Sequence, residues 1–467
     1  MSSSHVLKNN KPASLKQAGS GENPLGSAPV GSLLRKFAVP SIVAMMVSAL
    51  YNIVDQFFIG RSIGELGNAA TNVAFPLSTS CTAIALLLGI GAASAFNLAM
   101  GRGEKEKALY YIGNAAVLLF GFGTVLCLVT QIFLEPMLLF FGSPENVLGY
   151  AKEYVRIVSI GFPFLILSNG GAHLVRADGS PTYSMMCNLT GAIINTILDP
   201  LFIFGFNMGM TGAALATIVG QIASAVLVFR YLRNYKAGKL TRKHLIPRRQ
   251  FGGYAMSLGL AQFFNQLAMM VVQIVMNNSL TYYGRMSVYG ESIPLACAGI
   301  INKVSFIFFA VCIGLAQGMQ PISSFNYGAE KFDRVKQVVR LTIISGSTVC
   351  VTAFLLFQFF PRQIIGLFGD GSEMYFAFAE RYFRIYLFCT FLNNIQPMSS
   401  TFFTSVGKPA KGTFLGLTRQ IICLLPLLVI FPRFMGIDGI MYAGPIADFL
   451  AACIAAVMLF REMRSYS

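Results

Sequence analysis

The chain has 467 residues, of which 55% are hydrophobic and 12% are charged, and its formal net charge at pH 7 is +16. This apolar content exceeds what the core of a water-soluble protein of this length buries. The composition therefore excludes an ordinary soluble protein and predicts a polytopic membrane protein.

Residues 1–30 are rich in Ser, Gly, Asn and Lys and contain no apolar stretch that would serve as a cleavable signal. This composition is typical of a disordered segment. Beyond it, apolar stretches follow one another at lengths close to the ~20 residues that one membrane crossing needs. Twelve spans are predicted, at 33–60, 73–100, 110–134, 151–174, 183–206, 211–232, 251–283, 293–318, 337–360, 379–404, 412–432 and 438–460.

The Lys and Arg residues lie mostly on one side of these spans, which predicts their orientation because cytoplasmic loops retain positive charge. The loop at 230–249 is the most basic, and the opposite side of the predicted membrane carries few positive residues. We therefore expect a multi-pass protein of a bacterial cytoplasmic membrane with both termini in the cytoplasm. No nucleic-acid partner is expected, because the basic loop joins two membrane-embedded halves.

The chain repeats itself at an offset of about 227 residues. Gly91 recurs as Gly318, and Gly101 recurs as Gly328. Because each copy holds an even number of spans, the copies share one orientation and form parallel repeats, as alternating-access carriers commonly do. The predicted fold is an all-α polytopic membrane protein whose twelve transmembrane helices form two six-helix lobes with a cleft between them. The predicted segments are a disordered cytoplasmic N-terminal segment at 1–30, an N-terminal lobe at 31–232, a basic cytoplasmic linker at 233–250 and a C-terminal lobe at 251–467.

The sequence offers no sign of enzymatic chemistry. The nine cysteines show no CxxC spacing, the three histidines are scattered, and neither a Gly-rich phosphate loop nor a nucleophile elbow occurs. We therefore expect no enzyme, no catalytic residue, no cofactor and no resident metal. A coupling sodium ion or proton is the one inorganic ligand expected.

Two acidic residues, Asp55 and Asp199, lie inside predicted spans. An ionisable group at membrane depth costs roughly 2.5–3.5 kcal/mol on insertion scales, so it is usually retained to handle an ion or a substrate. Asn195 precedes Asp199 by four residues and shares its helix face. Tyr51 precedes Asp55 by the same spacing. These oxygen donors suit a hard monovalent cation or a proton.

The next helix adds two more oxygen donors, Ala213 and Thr217, again four residues apart. The second repeat has no such cluster, since Cys423 and Leu427 are among the residues in the matching positions. A cation site is thus predicted in the first lobe alone.

Structural roles remain as alternatives. Asp199, which Pro200 follows, would then cap a helix near an interface, and Asp55 would pair with a buried cation. Lys303 and Arg419 are the two cations well inside other spans, and Asp448, in the same lobe, is the better partner for both.

The sequence resembles multidrug and toxic compound extrusion (MATE) transporters over residues 33–460, and most closely the DinF-like and MepA-like bacterial branch. The motifs that carry the resemblance are Gly314-Leu-Ala-Gln-Gly-Met-Gln-Pro321, Phe325-Asn-Tyr-Gly-Ala329, Tyr51-Asn-Ile-Val-Asp55 and Leu198-Asp-Pro-Leu-Phe-Ile203. The resemblance implies a twelve-helix carrier that exchanges drugs for cations.

The resemblance also implies roles for individual residues. The family's first-lobe cation site falls on Asp55, Asn195, Asp199, Ala213 (through its carbonyl) and Thr217, its hydrogen-bond network on Tyr51 and Tyr154, and its helix-bend proline on Pro40. The sequence departs from the family pattern at Ala172, where a network asparagine is expected. It also lacks the second-lobe acids of the NorM branch, with Asn393 in the corresponding stretch.

The predicted function is multidrug efflux by antiport. Lipophilic organic cations would leave the cell in exchange for sodium ions or protons, through alternating access of a monomer embedded in the lipid bilayer. One alternative is a flippase for lipid-linked oligosaccharides, whose anionic substrate would call for more interior Arg or Lys. Another is a membrane receptor or scaffold that transports nothing.

Overall fold

The computed structural model describes residues 23–466 except 142, 144, 291 and 368–372. Its secondary structure is helical, as lipid requires of a chain that must satisfy its own backbone hydrogen bonds. The long helices are α1 (Val30–Ile63), α2 (Glu65–Gly101), α3 (Lys105–Ile132), α4 (Glu145–Ala177), α5 (Pro181–Gly205), α6 (Gly209–Arg233), α7 (Arg249–Arg285), α8 (Ser292–Gly328), α9 (Phe332–Phe359), α10 (Glu373–Tyr386 and Ile395–Ser405), α11 (Pro409–Met435) and α12 (Ile437–Arg464).

Within the described residues, eleven helices are long and apolar enough to cross a membrane. The tenth predicted span, 379–404, is the exception because α10 is divided into two shorter helices. The prediction of an all-α fold with twelve transmembrane helices in two lobes is confirmed. Short helices complete the described chain at Pro24–Ser27, Leu134–Phe140, Arg242–Leu245 and Pro361–Gly366.

The divided helix has a counterpart in the first repeat. In α4 a 3-10 turn at Ser159–Gly161 interrupts the helix, and the Gln131 side chain donates to the Arg156 carbonyl at 2.6 Å. In α10 the Gln358 side chain donates to the Arg384 carbonyl at 2.9 Å. The same glutamine–arginine pair therefore stabilises the break in both lobes.

The segment predicted to be disordered, 1–30, lies outside the described residues up to position 22. From Asn23 onward it is ordered. The Asn23 side chain accepts a hydrogen bond from the Leu25 N–H at 3.1 Å and caps the short helix Pro24–Ser27. The Arg334 guanidinium donates to the carbonyls of Leu25 and Ala28, at 3.2 Å and 2.6 Å. These bonds fix the start of the described chain to the second lobe.

Each lobe has its own hydrophobic core. One core joins residues of α2 to α6 with the end of α1, and a second joins residues of α7 to α12. A third core contains the first turns of α1, from Val30 to Ala38, together with residues of α8 to α12 of the second lobe. Helix α1 therefore begins against the second lobe and ends inside the first.

The connection between the lobes, residues 234–248, is held against the first lobe. The Asp178 carboxylate accepts hydrogen bonds from the backbone N–H groups of Lys236 and Ala237, at 2.6 Å and 3.0 Å. Burial raises the pKa of this carboxyl to about 6, although these hydrogen bonds act in the opposite direction. The Asn114 side chain accepts from the Arg248 N–H at 2.6 Å. We call the side of the molecule that carries this connection the linker end, and the opposite side the far end.

The two lobes touch through glycines near the linker end. A Cβ atom on Gly91 of α2 would lie 1.9 Å from the Ala255 carbonyl oxygen of α7. A Cβ atom on its repeat counterpart, Gly318 of α8, would lie 2.6 Å from the Cα of Ala38 in α1. Only glycine permits such close approach of two backbones. The interface between the lobes therefore follows the internal repeat.

Toward the far end the same helix faces separate. Ile42 of α1 contacts Gly314 of α8, where a Cβ would lie 2.6 Å from the Ile42 Cα. Three turns farther along each helix, on nearly the same face, Ile53 is 39% exposed and Lys303 is exposed. The lobes are thus closed at the linker end and leave a cleft that opens toward the far end.

Candidate cation site

The candidate site lies inside the first lobe, where α1, α5 and α6 meet the first half of α4. Helices α5 and α6 approach closely because they face each other with Gly191 and Gly220. A Cβ on Gly220 would lie 2.6 Å from the Gly191 carbonyl oxygen and 3.3 Å from the Cβ of Asn195. This close approach allows the Asn195 side chain of α5 to reach Thr217 of α6.

A chain of hydrogen bonds links the buried polar residues of α5 and α6. The Asn195 amide donates to Asp199 Oδ1 at 3.4 Å and to Thr217 Oγ1 at 3.2 Å. The Thr217 hydroxyl in turn donates to the Ala213 carbonyl at 2.9 Å. Asp199 is fully buried and Asn195 is 2% exposed. These four predicted residues therefore form one cluster within the protein interior.

Helix α1 and the first half of α4 complete the cluster. The carboxyl of Asp55 lies beside that of Asp199. The phenol groups of Tyr51 and Tyr154 both interact with Thr217. All seven residues predicted for the cation site and its network are brought together, although Tyr154 is distant from the others in sequence.

Several oxygen atoms of this cluster remain available to a ligand. Asp55 Oδ1, Asn195 Oδ1 and Asp199 Oδ2 are buried, and none has a hydrogen-bond partner within the described residues. Burying acceptors of this kind without a partner is costly, and two adjacent carboxylates repel each other unless a proton or a cation lies between them. The cluster is therefore chemically suited to a shared proton or to a monovalent cation with oxygen ligands.

The cluster has none of the features of a transition-metal site. No group of three or more His, Cys, Asp or Glu within the described residues is arranged to hold a metal ion. Hard oxygen donors from carboxylate, amide, hydroxyl and carbonyl groups instead match the ligands of the lighter cations.

The helix-cap alternative for Asp199 does not agree with the geometry. The helical path continues past Pro200 as a π-helical turn at Leu201–Gly205, and the Asp199 side chain interacts with Asn195 rather than with a helix end. Proline lacks the N–H group that would continue the α-helical ladder. A π-helical turn at such a position is common near functional sites.

The alternative that Asp55 pairs with a buried cation finds no support either. The Arg419 Nε donates to Asp448 Oδ1 at 2.5 Å, so Arg419 has the partner that the sequence favoured. Lys303 is exposed and forms no ion pair with Asp448 within the part of the chain that the structure describes. No ion pair involving Asp55 occurs there either.

Pro40 lies in α1 where this helix passes from one lobe to the other. Residues before it, such as Ala38, pack in the second-lobe core, whereas Ile59 packs in the core of the first lobe. The Ser41 hydroxyl donates to the Phe37 carbonyl at 2.8 Å within the same turn. The missing N–H of Pro40 weakens the helix at this crossing point.

Sequence reasoning did not identify the glycine contact that brings Asn195 to Thr217. Its signal in the sequence is weak, since Gly191 and Gly220 are two among 45 glycines. Ala172, noted as a departure from the family pattern, lies elsewhere, since its carbonyl accepts from Ser184 Oγ at 2.7 Å near the start of α5. The alanine is thus not part of the cluster around Asp199.

The chain is similar to known membrane transporters over most of its length. The family model MatE matches residues 40–201 and 262–430, one segment in each lobe. The multidrug export protein MepA of Staphylococcus aureus is 23% identical over 434 residues, which cover 93% of this chain and 94% of MepA.

Solved structures agree with the fold. A transporter of the MOP superfamily from Pyrococcus furiosus superposes with a TM-score of 0.87 at 20% identity, covering 95% of this chain and 98% of its own. A multidrug resistance MATE family transporter of the same superfamily, solved in an outward-facing conformation, superposes with the same TM-score, identity and coverage. At these identities the likeness shows the fold alone.

Proposed function

Because the chain belongs to the MatE family of membrane transporters, we propose that it is a multidrug efflux antiporter. It exports lipophilic organic cations in exchange for sodium ions or protons by alternating access. The observation that carries this proposal is the buried cluster around Asp55 and Asp199, whose unsatisfied oxygens call for a cation or a proton.

The cluster supports coupling between the two ligands. Two carboxylates in contact inside a protein need positive charge between them, and a sodium ion, a proton or an organic cation supplies it. When one ligand occupies the cluster, the others bind less well. Each net elementary charge that moves inward gains roughly 2.3 kcal/mol per 100 mV, so the membrane potential helps to drive export when more positive charge enters with the ions than leaves with the drug.

The arrangement of the lobes supports alternating access. The glycine contacts close the cleft at the linker end, while the helix faces at Ile53 and Lys303 separate toward the far end. Helix α1 contributes Asp55 to the cluster and packs with its first turns against the second lobe. A change in the charge at Asp55 is thus transmitted directly to a helix that spans both lobes.

The orientation follows from the basic residues. The linker end carries the connection at 234–248 and the start of the described chain. Lys and Arg are frequent in and around both segments. By the positive-inside rule, this end faces the cytoplasm of a bacterial cell and the cleft faces outward. A single chain contains both lobes and the complete cluster, so the monomer is the transporting unit.

The proposal is tested by counterflow of a lipophilic cation in proteoliposomes with imposed sodium or pH gradients. Asp55→Asn and Asp199→Asn should each abolish gradient-driven efflux, because each removes one of the two negative charges. Asp438→Asn is the matched control, since Asp438 pairs with Arg381 at 2.8 Å outside the cluster. Near-normal efflux by either site variant would refute the assignment.

A further inference from the structure

The second lobe contains a cavity of about 210 Å³ between α7, α8, α10, α11 and α12. Its lining combines apolar side chains, including Met276 and Phe309, with the polar side chains of Asn302 and Arg419. The Arg419–Asp448 ion pair forms part of its wall. This ion pair has no counterpart in the first lobe, where the repeat places glycine and glutamine at the equivalent positions 191 and 221.

Two side chains in the wall of this cavity, Arg419 and Ser305, carry hydrogen-bond donors that are not used. Of the five N–H groups of Arg419, the one on Nε bonds Asp448, and the terminal nitrogens have no hydrogen-bond partner within the described residues. The Ser305 hydroxyl, also in the wall, is buried and likewise without a partner there. The Asn302 amide, in contrast, already donates to Gln273 Oε1 at 3.2 Å. A ligand group that accepts hydrogen bonds would satisfy Arg419 and Ser305 together.

The charge of the ion pair is unequally exposed. The Arg419 side chain is 18% exposed, whereas that of Asp448 is 3% exposed. A ligand in the cavity therefore meets the guanidinium first. The planar guanidinium lies 5.9 Å from the centre of the Phe309 ring, which holds it beside an aromatic surface. Its fork of donors matches the two oxygens of a carboxylate.

The local backbone indicates that this wall is specialised. Arg419 lies in a π-helical turn, Thr418–Leu424, inside α11. Such turns are rare and occur mostly near functional sites. The first lobe has its own π-helical turn directly after Asp199, at Leu201–Gly205. Each lobe thus places a different charged group beside a distortion of the same helix of the repeat.

The cavity is accessible from the cleft between the lobes. Its rim residues Met269 and Phe306 are 42% and 47% exposed. Phe306 lies one turn from Lys303, whose exposed ammonium shares the helix face that turns toward the first lobe. The volume is below the ~300–1,000 Å³ of a site that encloses a drug-sized ligand. It therefore holds a single-ring molecule or one end of a larger one.

We propose that this second-lobe cavity binds the carboxylate end of aromatic acids and zwitterions, through the Arg419 guanidinium and the Ser305 hydroxyl. The two lobes then bind ligands of opposite charge. The carboxylates around Asp199 in the first lobe bind cations, and the Arg419 guanidinium in the second lobe binds anions. That these ligands are exported substrates rests on the proposed function. The charge preference of the cavity itself is independent of transport.

The chain contains no tryptophan, so one introduced tryptophan is a unique fluorescent reporter. Phe306→Trp places it at the cavity rim. The probes are 4-nitrobenzoate and the uncharged, nearly isosteric 4-nitrobenzamide, both of which quench tryptophan, titrated into the full chain in detergent without any gradient. Phe75→Trp is the matched control, because Phe75 is 55% exposed on α2 of the other lobe.

We expect 4-nitrobenzoate to quench the rim reporter with an affinity about tenfold higher than 4-nitrobenzamide, as a charge-assisted hydrogen bond allows. The preference should disappear in Arg419→Gln combined with Asp448→Asn, which removes both charges together. The preference for the acid over the amide should fall a few fold in Ser305→Ala. Because this variant keeps the ion pair, it tests the proposal even if the double variant does not fold.

Equal affinity for the acid and the amide would overturn the proposal. So would a preference that survives the double variant, or equal quenching of the reporter at position 75, which would indicate partition into detergent. The outcome is separate from that of the proposed function. If Asp55→Asn transports normally, the antiport assignment fails while the charge preference at Arg419 stands. If the acid and the amide bind equally well, the charge preference fails while the antiport assignment stands.

Discussion

Replacing Gly220 by alanine should weaken cation binding without removing any ligand group. The added Cβ would lie 2.6 Å from the Gly191 carbonyl oxygen, whereas ordinary contacts begin near 3.4 Å. Helices α5 and α6 must therefore move apart by about 0.8 Å, as the excluded volume of a methyl group requires. This movement lengthens the 3.2 Å bond between Asn195 and Thr217 to about 4.0 Å, beyond hydrogen-bonding distance.

The energetic consequence follows from the lost hydrogen bond and from the strain. A neutral hydrogen bond contributes about 0.5–1.5 kcal/mol, and overpacking costs typically 1–3 kcal/mol. Part of the strain lowers stability, and the displacement of Thr217 lowers ion affinity. A loss of about 1.4 kcal/mol in binding free energy corresponds to a tenfold larger dissociation constant. We expect a change of about this size for the coupling ion.

The assay is isothermal titration calorimetry of sodium ions in detergent, repeated at two pH values so that proton competition is also detected. Gly121→Ala is the matched control, because a Cβ on Gly121 in α3 of the same lobe has no atom within 4 Å. It should leave ion affinity unchanged. If Gly220→Ala binds the ion as tightly as the wild type while its melting temperature is also unchanged, the contact between α5 and α6 does not position the site.

Three further predictions follow from single side chains. Thr217→Ala should weaken binding of the coupling ion about tenfold by calorimetry. Cys423→Ala and Leu427→Ala, at the second-lobe positions that match Asn195 and Asp199, should leave it unchanged, and equal losses from both lobes would show that the site lies elsewhere. Pro40→Ala should restore the backbone hydrogen bond at the crossing point of α1 and slow counterflow while ion affinity stays unchanged, and an unaltered transport rate would show that α1 need not bend there. The stability of the wild type should fall relative to that of Asp178→Asn as pH rises. The folded-state pKa of Asp178 is raised to about 6, so the folded protein binds this proton more tightly than the unfolded chain does. The resulting stabilisation is complete below the ordinary pKa of 3.8 and is lost as pH rises through about 6. A melting-temperature difference between the two proteins that does not change from pH 4 to pH 7 would contradict this.

Much of the fold is encoded in patterns that a sequence displays directly. The lengths of the apolar runs predict the helices, and the recurrence of Gly91 and Gly101 predicts the paired lobes. The division of α10 is not visible in hydropathy, because the break depends on individual hydrogen bonds. The Thr390 hydroxyl donates to the Leu387 carbonyl at 2.7 Å, and the Asn394 amide donates to the Ile343 carbonyl at 3.1 Å. Side-chain bonds to the backbone of this kind compete with the helix.

The cation site was partly predictable for a similar reason. The four-residue spacing of Asn195 and Asp199 places both on one helix face, and periodicity alone establishes this. That Asp55 on α1 reaches the same point depends on how α1 crosses between the lobes, which no local pattern encodes. Tyr154 was found through the family resemblance, because a tyrosine on α4 carries no signal of its own. Long-range packing decides which of these residues meet.

In the proposed mechanism, organic cations and the coupling ion compete for the charge of Asp55 and Asp199. The most direct test is the affinity of a monovalent lipophilic cation, titrated in detergent across sodium concentration and across pH without any gradient. By thermodynamic reciprocity, the coupling ion and the drug must weaken each other by the same factor. We predict that drug affinity falls as sodium rises or as pH falls, and that Asp199→Asn flattens this dependence. Drug affinity that is indifferent to both variables would contradict the account.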